Sequence, residues 1–250
     1  MNSPEKKKLN LDDGFCFACH RGLKCYTSCC RDVNIFLTPS DVLRLKKTLG
    51  LTSSEFLEKY TDLVVVPKKA LPLVQLRMNA ENDKKCYFVH DYGCEIYPHR
   101  PWACRMFPLD EHAMGGFQVI ATGERCHGLV QGDGWKVRGW LMDQGATQAK
   151  EADGSYEALA AHEFWRGLDI NNEKIQLMLV MALYDLDRFR EFVLRSSFLE
   201  RFDLEPERVQ ALKTDDVALL DLGYDWVRFG LFGQKSLKLK ENAQPAGDGN

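Results

Sequence analysis

Nine cysteines lie between residues 16 and 126 of this 250-residue chain, and none follows Cys126. They fall into two clusters. The first reads Cys16-x2-Cys19-x5-Cys25-x3-Cys29-Cys30. The second is more open: Cys86-x7-Cys94-x9-Cys104, with Cys126 further on. Thiolates at this density suit soft or borderline metals, as single zinc or iron ions or as iron–sulfur clusters. The spacing identifies metal-site chemistry and leaves the reaction open. A chain of this length holds one large domain or two small ones.

Redox compartment decides between disulfides and ligands. The opening stretch MNSPEKKKLNLDDG is charged and no apolar run follows it, so no secretory signal is read there. No apolar run approaches the roughly 18–20 residues of a membrane span. The expectation is a cytoplasmic protein whose cysteines are metal ligands or reactive thiols rather than disulfides. Net charge of −3 gives no nucleic-acid footprint. Neither a nucleic acid nor a membrane is expected as partner, and a protein partner stays open.

Residues 16–30 are rich in Cys, Gly and Ser with little periodicity, as a ligand loop requires. Asn34 to Leu37 reads as a short strand. Thr38-Pro39-Ser40-Asp41 opens a helix that Gly50 ends, and Thr52-Ser53-Ser54-Glu55 is the capping box of a second. Residues 73–78 alternate as a half-buried strand, 86–89 and 94–97 look like hairpin arms, and Phe117 to Ala121 is a further strand. Pro98 and Pro108 bracket a short helix holding Arg100, Cys104 and Arg105.

After Cys126 the pattern turns helical. Helices are expected near 135–143, 155–167, 206–213 and 216–231, with the longest from Asn172 to about Val193. The fold class is α+β. A cysteine-rich metal-binding domain of short strands and helices over 13–130 is followed by a helical region over 131–236. The stretches 1–12 and 237–250 read as flexible tails.

Adjacent cysteines seldom ligate one ion, because their side chains diverge. Cys29 and Cys30 therefore serve two sites, or one of them stands behind the ligands. The hairpin sulfurs of Cys86 and Cys94 and the helical Cys104 are placed to complete sites that the first loop does not close alone. Cys126 is a candidate last ligand. His20 is a weaker candidate, and His90, His99, His112 and His127 read as surface groups or supports. Arg100 and Arg105 flank Cys104, either as surface charge or as counter-charge to thiolates. The chain has no phosphate-binding glycine loop, no G-x-S-x-G, no H-E-x-x-H and no C-x3-C-x2-C.

The joint pattern Phe17-x-Cys19-His20-x-Gly22-x2-Cys25-x3-Cys29-Cys30, then Leu37-Thr38-Pro39-x-Asp41-x2-Arg44-Leu45, then Cys94-x-Ile96-Tyr97-x2-Arg100-Pro101-x2-Cys104-Arg105-x2-Pro108, resembles the YkgJ-type cysteine-cluster family of zinc- or iron-chelating domains. Its cysteine region is also similar to that of flagellin lysine methylase, which is associated with an iron–sulfur cluster. The resemblance implies a bacterial cytosolic protein with eight ligands: Cys19, Cys25, Cys29, Cys30, Cys86, Cys94, Cys104 and Cys126. Cys16 falls outside that set. The implied cofactor is an iron–sulfur cluster of the 4Fe–4S type, or zinc. Two rival functions accompany it: a cluster-containing lysine methyltransferase-like enzyme, and an interaction module stapled by zinc.

Overall fold

The computed structural model describes residues 7–64, 71–167 and 172–241. The backbone divides into two compact units. The first takes Met1–Asp41 and Gln75–Asp153, and the second takes Val42–Val74 and Gly154–Asn250. The chain crosses between them within the helix Pro39–Leu49 and within the strand Leu73–Leu76. Short strands dominate the cysteine region and helices the C-terminal part, so the class is α+β. Among the described residues no helix is long and apolar enough to cross a membrane.

The first unit is a set of antiparallel ladders of two or three residue pairs each. Gly14–Cys16 pairs with Gly134–Lys136, and Leu109–Glu111 with Phe117–Val119. Met78–Asn79 pairs with Lys85–Cys86, and Val89–His90 with Gly93–Cys94. Ladders this short do not stand alone in water. An aromatic core carries them. Trp140 packs edge-on against Phe17, Trp135 and Phe15 at centroid distances of 5.1, 5.2 and 6.0 Å. Its indole N–H donates to the Met106 carbonyl at 3.3 Å. Met106, Leu109, Val137 and Leu141 close the core around it. Each such aromatic pair adds about 0.5–1.5 kcal/mol beyond its area.

The strand Gly134–Lys136 and the helix Val137–Asp143 belong with the cysteine region, because Phe17 and Trp140 share one core. Residues 135–143 are thus strand before helix, and Ala146–Ala152 is a further helix that had no clear signal. Leu9, inside the stretch expected to be a tail, is buried and exchanges backbone hydrogen bonds with Phe117 at 2.7 and 2.8 Å. Residues 1–6 and 242–250 lie outside the described residues.

Capping signals hold where they are local. Thr38 Oγ1 accepts the Asp41 N–H at 3.1 Å, and the Asp41 carboxylate accepts the Thr38 N–H at 3.3 Å. Thr52 and Glu55 form the reciprocal box at the start of Ser53–Tyr60. The expected hairpin turns at Asp91–Tyr92, but its strand arms are only Val89–His90 and Gly93–Cys94. Cys86 belongs to the neighbouring ladder instead, opposite Met78.

The second unit is helical. The expected long helix over 172–193 is two, Glu173–Leu183 and Leu186–Arg195. The break falls at Tyr184–Asp185. There the buried Asp185 carboxylate accepts hydrogen bonds from the Ser53 and Ser54 hydroxyls, both at 2.8 Å. Asp216–Phe232 is the longest helix among the described residues, capped by Asp215. Gly223 lets it approach Glu173–Leu183, since a Cβ there would stand 2.2 Å from the Ala182 carbonyl oxygen. Trp226 stacks on Phe189 and Phe192 at 5.5 and 5.1 Å. Residues 155–167 are a helix, Gly154–Ala160, followed by the 3-10 turn Glu163–Gly167. Near the C-terminal end Leu237 is buried and Leu239 bridges to Phe202, so this stretch too is anchored.

Beneath Asp185 lies a cluster of charge. Lys46, 5% exposed, pairs with Asp187 at 2.8 Å and Asp216 at 3.0 Å. Arg190 pairs with the same two carboxylates, at 3.2 Å to Asp187 and closely to Asp216. The cations and carboxylates satisfy one another, which is what permits their burial.

Candidate metal centre

All nine cysteines are free thiols, and all belong to the first unit. Cys16 ends the strand Gly14–Cys16 opposite Gly134 and is exposed. Cys29 and Cys30 share the single 3-10 turn Ser28–Cys30, entered through Thr27 at φ +65°. Their sulfurs are 3.9 Å apart. Cys86 and Cys94 each end a strand, Cys104 sits in the helix Trp102–Met106, and Cys126 lies just before the helix Gly128–Gln131.

The sulfurs gather in two neighbourhoods. In one, the Cys25 sulfur accepts the His127 N–H at 3.3 Å. The N–H groups of Leu129 and Gly128 are directed at the Cys126 sulfur. The Ala18 N–H donates to the Gly128 carbonyl at 3.0 Å, which holds Cys19 at the same place. Burial, then the charges of Cys29, Cys126 and Cys25, push the Cys19 thiol up to about 11.

In the other neighbourhood, the Phe88 N–H is directed at Cys86 and the Ile96 N–H at Cys94, each two residues beyond its cysteine. Burial pushes Cys86 up to about 11 and raises Cys94 as well. An antiparallel bridge between Arg31 and Lys85 makes Cys30 and Cys86 flanking residues on one side of it. Burial drives the Cys104 thiol strongly upward, and the charges of Cys86, Asp41 and Cys94 add to that. The adjacent pair shares a proton. Either sulfur can donate to the other, so ionisation of one is favoured while its neighbour keeps the proton.

A cation beside these sulfurs would favour the thiolate forms that burial disfavours. Among the described residues no three Cys, His, Asp or Glu side chains converge closely enough to hold an ion as they stand. The donor set nevertheless fits a thiophilic metal, because backbone N–H groups already point at the sulfurs of Cys25, Cys86, Cys94 and Cys126. Such donors favour the thiolate, the form that ligates.

Residues 18–126 match the family model CxxCxxCC, described as a putative zinc- or iron-chelating domain. No curated protein and no solved structure matches the chain. The matched stretch takes in Cys19 through Cys126 and leaves Cys16 out. The core beneath the matched stretch is completed by residues beyond it, Val137, Trp140 and Leu141.

The two arginines that flank Cys104 act differently. Arg100 is buried, lies 3.9 Å over the Tyr97 ring and donates to the Tyr97 carbonyl at 2.6 Å. Its charge favours the thiolate forms of both Cys94 and Cys104. Arg105 instead clips the backbone, donating to the carbonyls of Pro98, Gln144 and Arg100 at 2.7, 2.9 and 3.0 Å. Asp41 has a second role that its place in a helix cap did not reveal. Its carboxylate also accepts the Trp102 N–H at 3.1 Å, capping the helix that carries Cys104. His20 is tied locally, with Nδ1 accepting the Gly22 N–H at 3.2 Å. His90 stacks on Tyr92 at 5.1 Å and pairs with Glu95.

Gly128 permits the approach that joins Cys19 to Cys126. A Cβ there would stand 1.9 Å from the Ala18 carbonyl oxygen. Backbone cannot swing aside as a side chain can. Gly128→Ala is therefore expected to destabilise the cysteine-bearing unit by about 3 kcal/mol and to lower metal content. Thermal unfolding with metal analysis of the same sample checks this, and an unchanged midpoint counts against it.

Proposed function

We propose that this chain is a metal-holding protein of a reducing, cytoplasmic compartment, with its metal carried on cysteine thiolates. The first candidate is iron, as a 4Fe–4S cluster, and zinc is the second. The observation that carries this is the presence of all these cysteines as free thiols in one unit, with backbone N–H groups directed at the sulfurs of Cys25, Cys86, Cys94 and Cys126. Four thiolates satisfy either a cubane cluster or a tetrahedral zinc ion. Resemblance to flagellin lysine methylase places iron ahead. The N–H groups two residues beyond Cys86 and Cys94 support zinc as the alternative, since such turns suit a single tetrahedral ion equally well. A bound cluster would add one-electron redox chemistry, whereas zinc would only cross-link the fold.

The expected result is protein that is brown when purified without oxygen. It should contain iron and acid-labile sulfide in comparable amounts and lose its colour in air. Stoichiometric zinc with no sulfide, in protein never exposed to oxygen or chelator, would mean zinc is the resident metal.

A further inference from the structure

Eight thiolates can serve one pooled site or several, and the backbone around them bears on which. The 3-10 turn at Ser28–Cys30 turns successive residues by about 120°, so neighbouring side chains leave it in different directions. The segments that meet each direction are distinct. On one side stand the loop at Ala18–Cys19 and the start of the helix Gly128–Gln131, joined by the Ala18 to Gly128 hydrogen bond at 3.0 Å. Cys25 is tied to the same place by the His127 N–H at 3.3 Å. On the other side, the Arg31–Lys85 bridge brings Cys30 alongside Cys86. The hydrogen bond from the Glu95 N–H to the Phe88 carbonyl, 2.9 Å, extends the hairpin that carries Cys94.

We propose that the eight thiolates form two separate sites of four. Cys19, Cys25, Cys29 and Cys126 make one, and Cys30, Cys86, Cys94 and Cys104 make the other. The adjacent pair Cys29–Cys30 is divided between them, and Cys16 belongs to neither. This rests on the metal-holding function proposed above and goes further, since it assigns every ligand. Electrostatics agrees with the division. Cys19 is acted on by Cys29, Cys126 and Cys25, while Cys104 is acted on by Cys86 and Cys94. Cys30 is acted on by Cys104 and Cys86, and its link to the first set is its immediate neighbour Cys29. Division of the pair also relieves the repulsion that two adjacent thiolates would suffer, because each faces its own cation.

The test is metal stoichiometry on the full-length chain. Metal-depleted protein titrated with cobalt under reducing, anaerobic conditions should develop thiolate charge-transfer absorbance up to about two equivalents, as two four-sulfur sites require. Cys25→Ser and Cys94→Ser should each retain about half of the wild-type metal, and the double variant almost none. Cys25→Ser combined with Cys126→Ser should lose no more than Cys25→Ser alone. Cys16→Ser should leave metal content unchanged. Saturation near one equivalent would overturn the division. So would a folded single variant that loses all its metal, or a metal loss with Cys16→Ser. If a variant fails to fold, the wild-type cobalt titration decides by itself. A wild-type chain that takes up neither cobalt nor any other metal would overturn the metal-holding function itself, a result distinct from one-equivalent binding.

Discussion

Serine in place of Cys104 is expected to remove metal and stability together. Cys104 is carried on a helix of five residues, Trp102–Met106, too short to persist without support. Asp41 caps that helix from a distant part of the chain and Arg105 clips the backbone before it. Met106 anchors its C-terminal end in the aromatic core, and the bond from sulfur to metal would add a further restraint. Thiolate zinc sites contribute roughly 10–16 kcal/mol to the folding of small domains. Loss of one of four ligands should forfeit several kcal/mol of that, whereas Cys→Ser at a merely buried thiol would cost only about 1 kcal/mol. The size of the effect therefore separates a ligand from a packed thiol. Thermal unfolding of Cys104→Ser beside wild type, each with and without chelator, measures it. Chelator should lower the midpoint of wild type sharply and that of the variant much less. Hydrogen exchange should rise around Cys30, Cys86 and Cys94 and stay unchanged in the helices Glu173–Leu183 and Asp216–Phe232, which pack on their own core. Full metal occupancy in a folded Cys104→Ser variant would refute the assignment.

Lys46→Met is expected to be the most damaging single change in the second unit, at about 3 kcal/mol. It removes a cation held between Asp187 and Asp216 at 2.8 and 3.0 Å. Both carboxylates would then keep Arg190 as their shared cation, with Ser53 still donating to Asp187. The pH dependence gives an independent reading. Burial alone would raise the Asp187 carboxyl, but hydrogen bonds from Lys46 and Ser53 outweigh it and lower it to about 2. A carboxyl lowered in the fold stabilises it above its ordinary value of 3.8, and that stabilisation disappears as pH falls through about 2. The stability difference between wild type and Lys46→Met should accordingly be full at neutral pH and shrink between about pH 4 and pH 2. A difference below about 1 kcal/mol at neutral pH, or one that does not change with acid, would contradict this account.

The candidate ligands could be named from sequence because that information is local. The residue type names the chemistry: sulfur in this number, in a chain with no disulfide pairing, points to zinc or iron. The capping residues Thr38 and Thr52 satisfy N–H groups three positions ahead, so a short window suffices to find their helices. The match over residues 18–126 rests on the same short-range spacings.

What tertiary structure decided depends on partners far along the chain. Nothing near Asp185 signals that Ser53 and Ser54 will hold its carboxylate, so the helical repeat running through it reads as continuous although the helix breaks there. Nothing near Leu9 announces Phe117, and nothing in residues 131–153 shows that Trp140 will pack on Phe17. The division of the sulfurs is of this kind. Sequence names eight candidate ligands and a pair too close to share one ion. Which of the pair faces Cys126 and which faces Cys86 is set by the backbone crossings at Ala18–Gly128 and Arg31–Lys85. Those crossings join residues more than fifty positions apart, and their energy exists only after the chain has closed upon itself.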